Sequence, residues 1–411
     1  MRLQLKIWLS MAMAVGLMLR SWSAWAQSSI KYKRLTYDEG SPGITVDEDN
    51  LEVLLQLDNQ DQLSFTGTHD VVTGASPTGV PENTTVTGAS TTAGGGQTFA
   101  SFKDERWAFS AGYSPLIART FRLNTALHYS EEQDYLSHGA TLGATFDLNK
   151  KNTTISPSVT YFDDLVKPSN DKPNRGKTST NYVLEISQIL NTWNVLNLGL
   201  LYTENRGYLT DPYKQVQVGS TAVDERRPSL RVGEAAQLGW RTKPFEHQAF
   251  DFAYRYYMDD WGIHSHTATV KSLSEHGEHW LLEFFYRYYT QNAADFWSKS
   301  FSAANADRYR SSDLRLSPFQ ANTIGATGIL KLNDSWWLEG SVSRYLQSAS
   351  KTGGGAGESA HEEEEGTGGE GDIFRESEGG EDGEGGGFLP GSGAGSNVAA
   401  WIYSLAIQFR F

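Results

Sequence analysis

The chain contains no cysteine. Disulfides, thiolate metal sites and a lipid-modified cysteine behind a leader are therefore excluded. It also lacks a haem-attachment motif, a nucleotide-binding loop, an internal repeat, and any G-x-S-x-G or H-E-x-x-H motif. The common sequence marks of cofactor enzymes, serine hydrolases and zinc proteases are thus missing. Positive charge is in deficit: 35 Lys and Arg stand against 49 Asp and Glu, a formal charge of −14. No nucleic-acid partner is expected from such a balance. Beyond the first residues, no apolar run approaches the ~20 residues of a membrane-spanning helix.

The start of the chain reads as a secretory leader. Arg2 and Lys6 precede an apolar run at 7–19, and Ala24-Trp25-Ala26 forms a small-x-small cleavage site. Residues 1–26 are expected to be a signal peptide, removed after Ala26 following Sec-type export. Residues 27–411 then form the mature chain.

What the sequence does have is aromatic residues in alternation. It holds 12 Trp, 19 Tyr and 19 Phe in an otherwise polar composition. At the end of the chain Trp401, Tyr403, Leu405, Ile407, Phe409 and Phe411 occupy every second position. Period two is the signature of a strand, because successive side chains point to opposite faces. The pattern recurs in Leu51–Val53–Leu55–Leu57, Leu123–Thr125–Leu127–Tyr129, Leu142–Ala144–Phe146–Leu148, Leu196–Leu198–Leu200–Tyr202, Phe250–Phe252–Tyr254–Tyr256 and Leu282–Phe284–Tyr286–Tyr288. Each run is close to the ~9–11 residues of a membrane-crossing strand. A soluble sheet is a poor alternative, since an exposed aromatic edge invites aggregation.

Sixteen strands are expected, at 29–38, 51–57, 62–72, 106–114, 120–130, 138–148, 152–163, 179–190, 194–204, 229–241, 247–258, 262–273, 279–291, 321–332, 335–348 and 397–411. Short turns alternate with long polar loops at 73–105, 167–178, 205–228, 292–320 and 351–396. The fold class is therefore all-β: a transmembrane antiparallel β-barrel with short periplasmic turns and long extracellular loops. Fourteen strands with a periplasmic N-terminal segment is the alternative. The loop at 349–396 is Gly-rich and acidic. Its stretch 351–390 carries twelve acids and two bases, and self-repulsion with little to bury suits a solvated loop.

Several segments resemble a family of Gram-negative proteins known only as a domain of unknown function and expected to be outer-membrane barrels. They are HDVVTGASPTG from His69, SEEQDYLSHG from Ser130, DPYK from Asp211, YRYYMDDWGIHSHT from Tyr254 and FYRYYTQNAADFW from Phe285. The resemblance implies an outer-membrane location and a barrel fold, and no activity. The terminal alternation ending on Phe411 likewise resembles the signal by which the outer-membrane assembly machinery recognises its clients. That machinery, outer-membrane lipid, and periplasmic or surface proteins are the expected partners.

Candidate sites follow from the inward phase of the strands. Asp251, Arg255, Glu283, Arg287, Glu185 and Lys271, with Asp147, Arg241 and Lys331, are expected in the lumen. They either set a transverse selectivity field or fill a wet lumen with salt bridges. His264, His266, Asp259 and Asp260 form a His-x-His plus carboxylate set that suits a divalent cation, or a polar membrane rim. Glu131, Glu132, Asp134 and His138, with His69 and Asp70, offer carboxylate–imidazole chemistry at the rim. No cofactor is expected. A pore for small polar or ionic solutes is the leading expectation, because sixteen strands leave a water-filled lumen where about eight do not. A closed structural or partner-binding barrel and a rim hydrolase are the alternatives.

Overall fold

The computed structural model describes residues 28–40, 43–57, 60–81, 91–94, 97–168, 172–302, 309–349 and 398–411. The leader and the acidic tract lie outside these residues. The strands are β1 (Ser29–Asp38), β2 (Ile44–Gln56), β3 (Gln62–Pro81), β4 (Thr91–Gly94), β5 (Gln97–Ser114), β6 (Leu116–Ala118), β7 (Phe121–Glu131), β8 (Tyr135–Leu148), β9 (Thr153–Val166), β10 (Arg175–Asn191), β11 (Asn194–Gly207), β12 (Gln215–Val218), β13 (Thr221–Asp224), β14 (Leu230–Phe245), β15 (Gln248–Asp259), β16 (His264–His276), β17 (Trp280–Gln291), β18 (Phe319–Lys331), β19 (Trp336–Ala349) and β20 (Val398–Arg410).

Eighteen strands share one sheet, and β12 and β13 form a separate hairpin. Within the sheet β4 and β6 are short additions beside β5 and β7. The remaining sixteen pair antiparallel, each with the next. β1 pairs with β2 on one side and with β20 on the other, so the wall closes. Fourteen strands with a detached N-terminal segment is therefore not what forms. Ser28 and Phe411, the first and last described residues, exchange backbone hydrogen bonds of 3.2 and 3.0 Å beside the short turns. Barrels of this kind place short turns in the periplasm and longer loops outside.

The pleat sets the two faces. On β20, Trp401, Tyr403, Leu405 and Ile407 are exposed, while Ile402, Ser404 and Ala406 are buried. Following the pairing register around the ring puts Phe109, Leu127, Leu142, Tyr182, Leu200, Leu238, Tyr254, Phe284 and Ile324 on the outer face, all exposed. Aromatic pairs mark two belts on that face. Trp336 and Phe409 (4.7 Å), Trp240 and Phe252 (5.4 Å) and Phe121 and Phe146 (5.0 Å) lie toward the short turns. Tyr182 with Tyr202, and Trp401 with Tyr403, lie toward the loops.

One patch inverts the pattern. Arg34 is paired in register with Leu405 and Asp49, so Arg34, Asp47 and Asp49 project from the outer face. Arg34 bridges Asp49 at 3.1 Å and Asp47 at 3.3 Å. Tyr32 and Thr36 donate to the same two carboxylates. The opposite face of these strands packs Tyr37, Ile44, Val72, Ala400 and Ile402 into an apolar cluster inside the wall.

Candidate functional site at the barrel mouth

Two loops close over the outer mouth. The first, residues 208–229 between β11 and β14, contains the β12–β13 hairpin. The second, of which residues 292–302 and 309–318 are described, connects β17 to β18. They are stitched together by backbone hydrogen bonds. Gly219 N donates to Phe301 O (2.9 Å) and Phe301 N to Gln217 O (2.8 Å), while Arg226 and Arg310 exchange bonds of 2.9 and 2.8 Å. β12 lies against β3, far around the ring from its own root at β11. The side chain of Tyr213 reaches Asp134 in the β7–β8 turn, at 2.6 Å. Lys172, before β10, bridges Asp224 at 2.8 Å. The loops therefore span the opening rather than standing beside it, and we refer to them as the lid.

The lid has a small core of its own. Trp261, Ile263, Ala294 and Leu316 are buried together against Leu209, Tyr257, Phe296 and Trp297. Trp261 Nε1 donates to Leu230 O at 2.8 Å, and Arg231 stacks on its ring at 4.8 Å. Beside this core sits an ionic lock joining the two loops. Arg315 bonds Asp313 and reaches Asp211 at 3.0 Å; Arg227 bonds Asp313 at 2.8 Å and lies 2.7 Å from Glu225. Ser311 Oγ donates to Glu225 Oε2 at 2.7 Å. Burial alone would raise the Asp313 carboxyl, but Arg315 and Arg227 outweigh it and hold the group well below the usual carboxylate range. Glu225 goes the other way, raised chiefly by burial. A buried pair of this kind loses about 3–5 kcal/mol when one partner is removed, because the other is left uncompensated.

Under the lid's far edge, the rim of β3, β5 and β7 carries a second group. Asp70 receives Arg106 Nε at 2.6 Å. Asp104, Glu132 and Asp134 each place a carboxylate oxygen within 4.8 Å of the other two. Glu132 is pushed up to about 8, first by burial, with Asp104, Asp134 and Asp70 adding to the shift against Arg106.

The residues singled out in the sequence are distributed as follows. Asp251, Arg255, Lys271, Glu283, Arg287 and Glu185 fall on the inward phase. Asp251 pairs with Arg241 through two contacts of 2.6 Å, and Lys271 lies 3.8 Å from Glu283. These contacts neutralise four of the expected lumen charges in adjacent pairs. Arg255 and Arg287 stand on β15 and β17 with one strand between them, and Glu185 is exposed on β10. Lys31 and Glu339 form a further lumen pair at 3.0 Å.

His264 and His266 face outward. Tyr256 and Tyr254 hold their Nδ1 atoms at 2.9 and 2.7 Å, within the outer aromatic belt. Asp259 faces inward, bound by Arg231 and by the amides of Trp261 and Ile263, and Asp260 accepts from Val232 N. The wall thus separates these histidines from Asp259. It also separates the rim groups. His69, stacked on Trp107 and bonded to Glu105, and His138, against Tyr129, face outward, while Asp70 and Asp104 face inward.

The five segments that carry the family resemblance share one location. Asp70, Glu132 and Asp134, the Asp211–Lys214 stretch, Trp261, and Ala294 with Trp297 all lie at the mouth or in the lid. Arg106, at the first position of an expected strand, and Glu225, Arg227, Asp313 and Arg315, isolated charges in polar loops without periodicity, were not marked by the sequence.

No curated protein matches the chain. Among solved structures it is similar to the siderophore receptor PirA from Pseudomonas aeruginosa, with 9% identity over 78% of this chain and 56% of that one, TM-score 0.42. It is also similar to a bacterial polysaccharide outer membrane secretin, with 8% identity over 94% and 99%, TM-score 0.45. CdiB from Acinetobacter baumannii shares 8% identity over 94% and 60%, TM-score 0.45. The chain spans little more than half the length of the siderophore receptors it matches. One family profile, described as "Protein of unknown function (DUF3570)", matches residues 12–182 and 170–366, and with most of its length inside that match the chain belongs to this family.

Proposed function

We propose that this protein is a gated outer-membrane pore for small polar or ionic solutes, exported by its leader and recognised for assembly through the outward row from Trp401 to Phe411. The observation that carries the reading is the lid. A closed sixteen-strand wall is wide enough for a water-filled lumen, its interior is lined by charged and hydroxyl side chains, and two interlocked loops lie across its outer opening. A barrel that only supported other proteins would need neither the polar interior nor a cover held by a buried ionic lock.

Planar-bilayer recording of the refolded protein tests this. Ohmic steps are expected, and Arg315→Ala, which frees the lock, is expected to give more frequent or larger steps than the wild type. A folded protein that is silent in both forms overturns the pore. A second reading, a barrel that carries a partner on its flank, draws on the outward Arg34–Asp47–Asp49 group, since charge facing lipid is costly unless another protein covers it. Arg34→Ala/Asp49→Ala that changes the apparent mass in detergent would favour it.

A further inference from the structure

The rim beneath the lid holds more carboxylate than the adjacent cation neutralises. Asp104 lies at the outer end of β5, near the backbone amide of Gln133 in the β7–β8 turn. It meets Glu132 and Asp134 there, the three oxygens lying within 4.8 Å of one another. Arg106 is committed to Asp70, and its Nε comes no nearer than 3.9 Å to Glu132. The Glu132 side chain is only 9% exposed, yet its Oε1 accepts no hydrogen bond, and Asp70 Oδ1 is likewise buried without one. A buried carboxylate oxygen without a donor is strongly disfavoured unless a cation neutralises it.

The donor set specifies the cation. Three carboxylates and no imidazole or thiolate suit a hard ion rather than a transition metal. The three oxygens lie within 4.8 Å of one another, close enough to converge on one ion, and calcium's tolerance of irregular oxygen shells at about 2.3–2.6 Å suits such a set better than the near-ideal octahedron that magnesium demands. The same turn is where the lid is fastened: Tyr213 Oη donates to Asp134 Oδ2, and Lys167 N donates to Asp134 O at 2.6 Å.

We propose that Asp104, Glu132 and Asp134 bind a hard divalent cation, calcium by donor type, and that the bound ion fixes the turn to which Tyr213 latches the lid. The site does not depend on the pore reading, because its test measures binding and exchange rather than conductance.

The test uses the full chain, refolded in detergent and scored as folded by heat-dependent gel mobility. After EGTA stripping, calorimetric titration with calcium chloride is expected to show one saturable site per chain. Asp104→Asn/Asp134→Asn should weaken it at least about tenfold. Glu132→Gln should weaken it as well, and serves if the double variant fails to fold. His264→Ala/His266→Ala should leave it unchanged. Hydrogen–deuterium exchange over 208–214 should slow on calcium addition in the wild type and not in the carboxylate variants. Calcium uptake that is identical in both carboxylate variants lies elsewhere on the chain, whose acidic stretch at 351–390 is rich in carboxylates, and overturns the site, as does a wild type with no saturable uptake. Saturable binding without a change in exchange overturns the latch.

Discussion

Gly207 ends β11 where the chain leaves the wall for the lid, and its φ of +113° is closed to side-chain-bearing residues at little cost. A Cβ there would lie 2.4 Å from Gly176 O and 2.9 Å from Lys177 Cα, both backbone atoms of the neighbouring strand. Neither can yield without breaking the β10–β11 ladder. Gly207→Ala should therefore cost about 1–3 kcal/mol, seen as an earlier urea midpoint in tryptophan fluorescence. Gly176, next to Lys177, the register partner of Gly207, has nothing within 4 Å of its Cβ position, so Gly176→Ala should leave the midpoint in place and separate strain from loss of glycine as such. At this scale the sequence was a partial guide. Alternation assigned Arg255 and Glu283 to the inner face, because on a pleated strand the phase of one residue fixes the next. It was silent on Arg315 meeting Asp313 and Asp211, since two loops far apart in sequence bring these charges together and no period links them.

The strands carry that contrast further. All sixteen wall strands were legible, since each must show lipid an apolar row. Their ends were less so. β2 extends back to Ile44, but Asp47 to Asn50 hid it by placing polar groups on both faces. β3 and β5 continue well past the ~9–11 residues needed to cross a bilayer, where no lipid enforces alternation. The β12–β13 hairpin went unread although QVQV, Gly-Ser and TAVD form an alternating pair about a two-residue turn; a long polar loop masked it. β20 gives the element-level test. Leu405 is 59% exposed near the middle of that strand, on the lipid side. Leu405→Arg should destabilise the barrel by about 2–4 kcal/mol, the cost of a cation at the bilayer midplane. Ser404→Arg on the adjacent inward position tests a different liability, crowding against Ser341 at 2.6 Å, and should alter conduction as well as stability. Folding into lipid vesicles, titrated with urea, distinguishes the two.

For the molecule as a whole, the wall and the lid make opposite demands. A closed hydrogen-bonded ring leaves no strand edge free and is hard to open, so any gating must come from the part that is not wall. The lid meets that need. It is fastened at its core by Trp261 and Leu316, at the lock by Arg315 and Asp313, and at the far rim by Tyr213, through side-chain contacts and isolated backbone bonds rather than a continuous ladder. Coupled contacts of that kind open as a unit when one set is removed. The absence of native cysteine allows a direct test, since an engineered pair cannot exchange with any other thiol. Val218 and Phe301 are bridge partners between the two lid loops, and paired strand residues lie within the ~4.4–6.8 Å Cα separation that a disulfide accepts. In the Val218→Cys/Phe301→Cys variant, oxidation should hold the loops together and suppress conductance steps, and a reducing agent should restore them in the same membrane. If oxidised and reduced protein conduct alike while gel analysis shows the cross-link formed, then separation of these loops is not what opens the barrel, and ions pass the lid by another route.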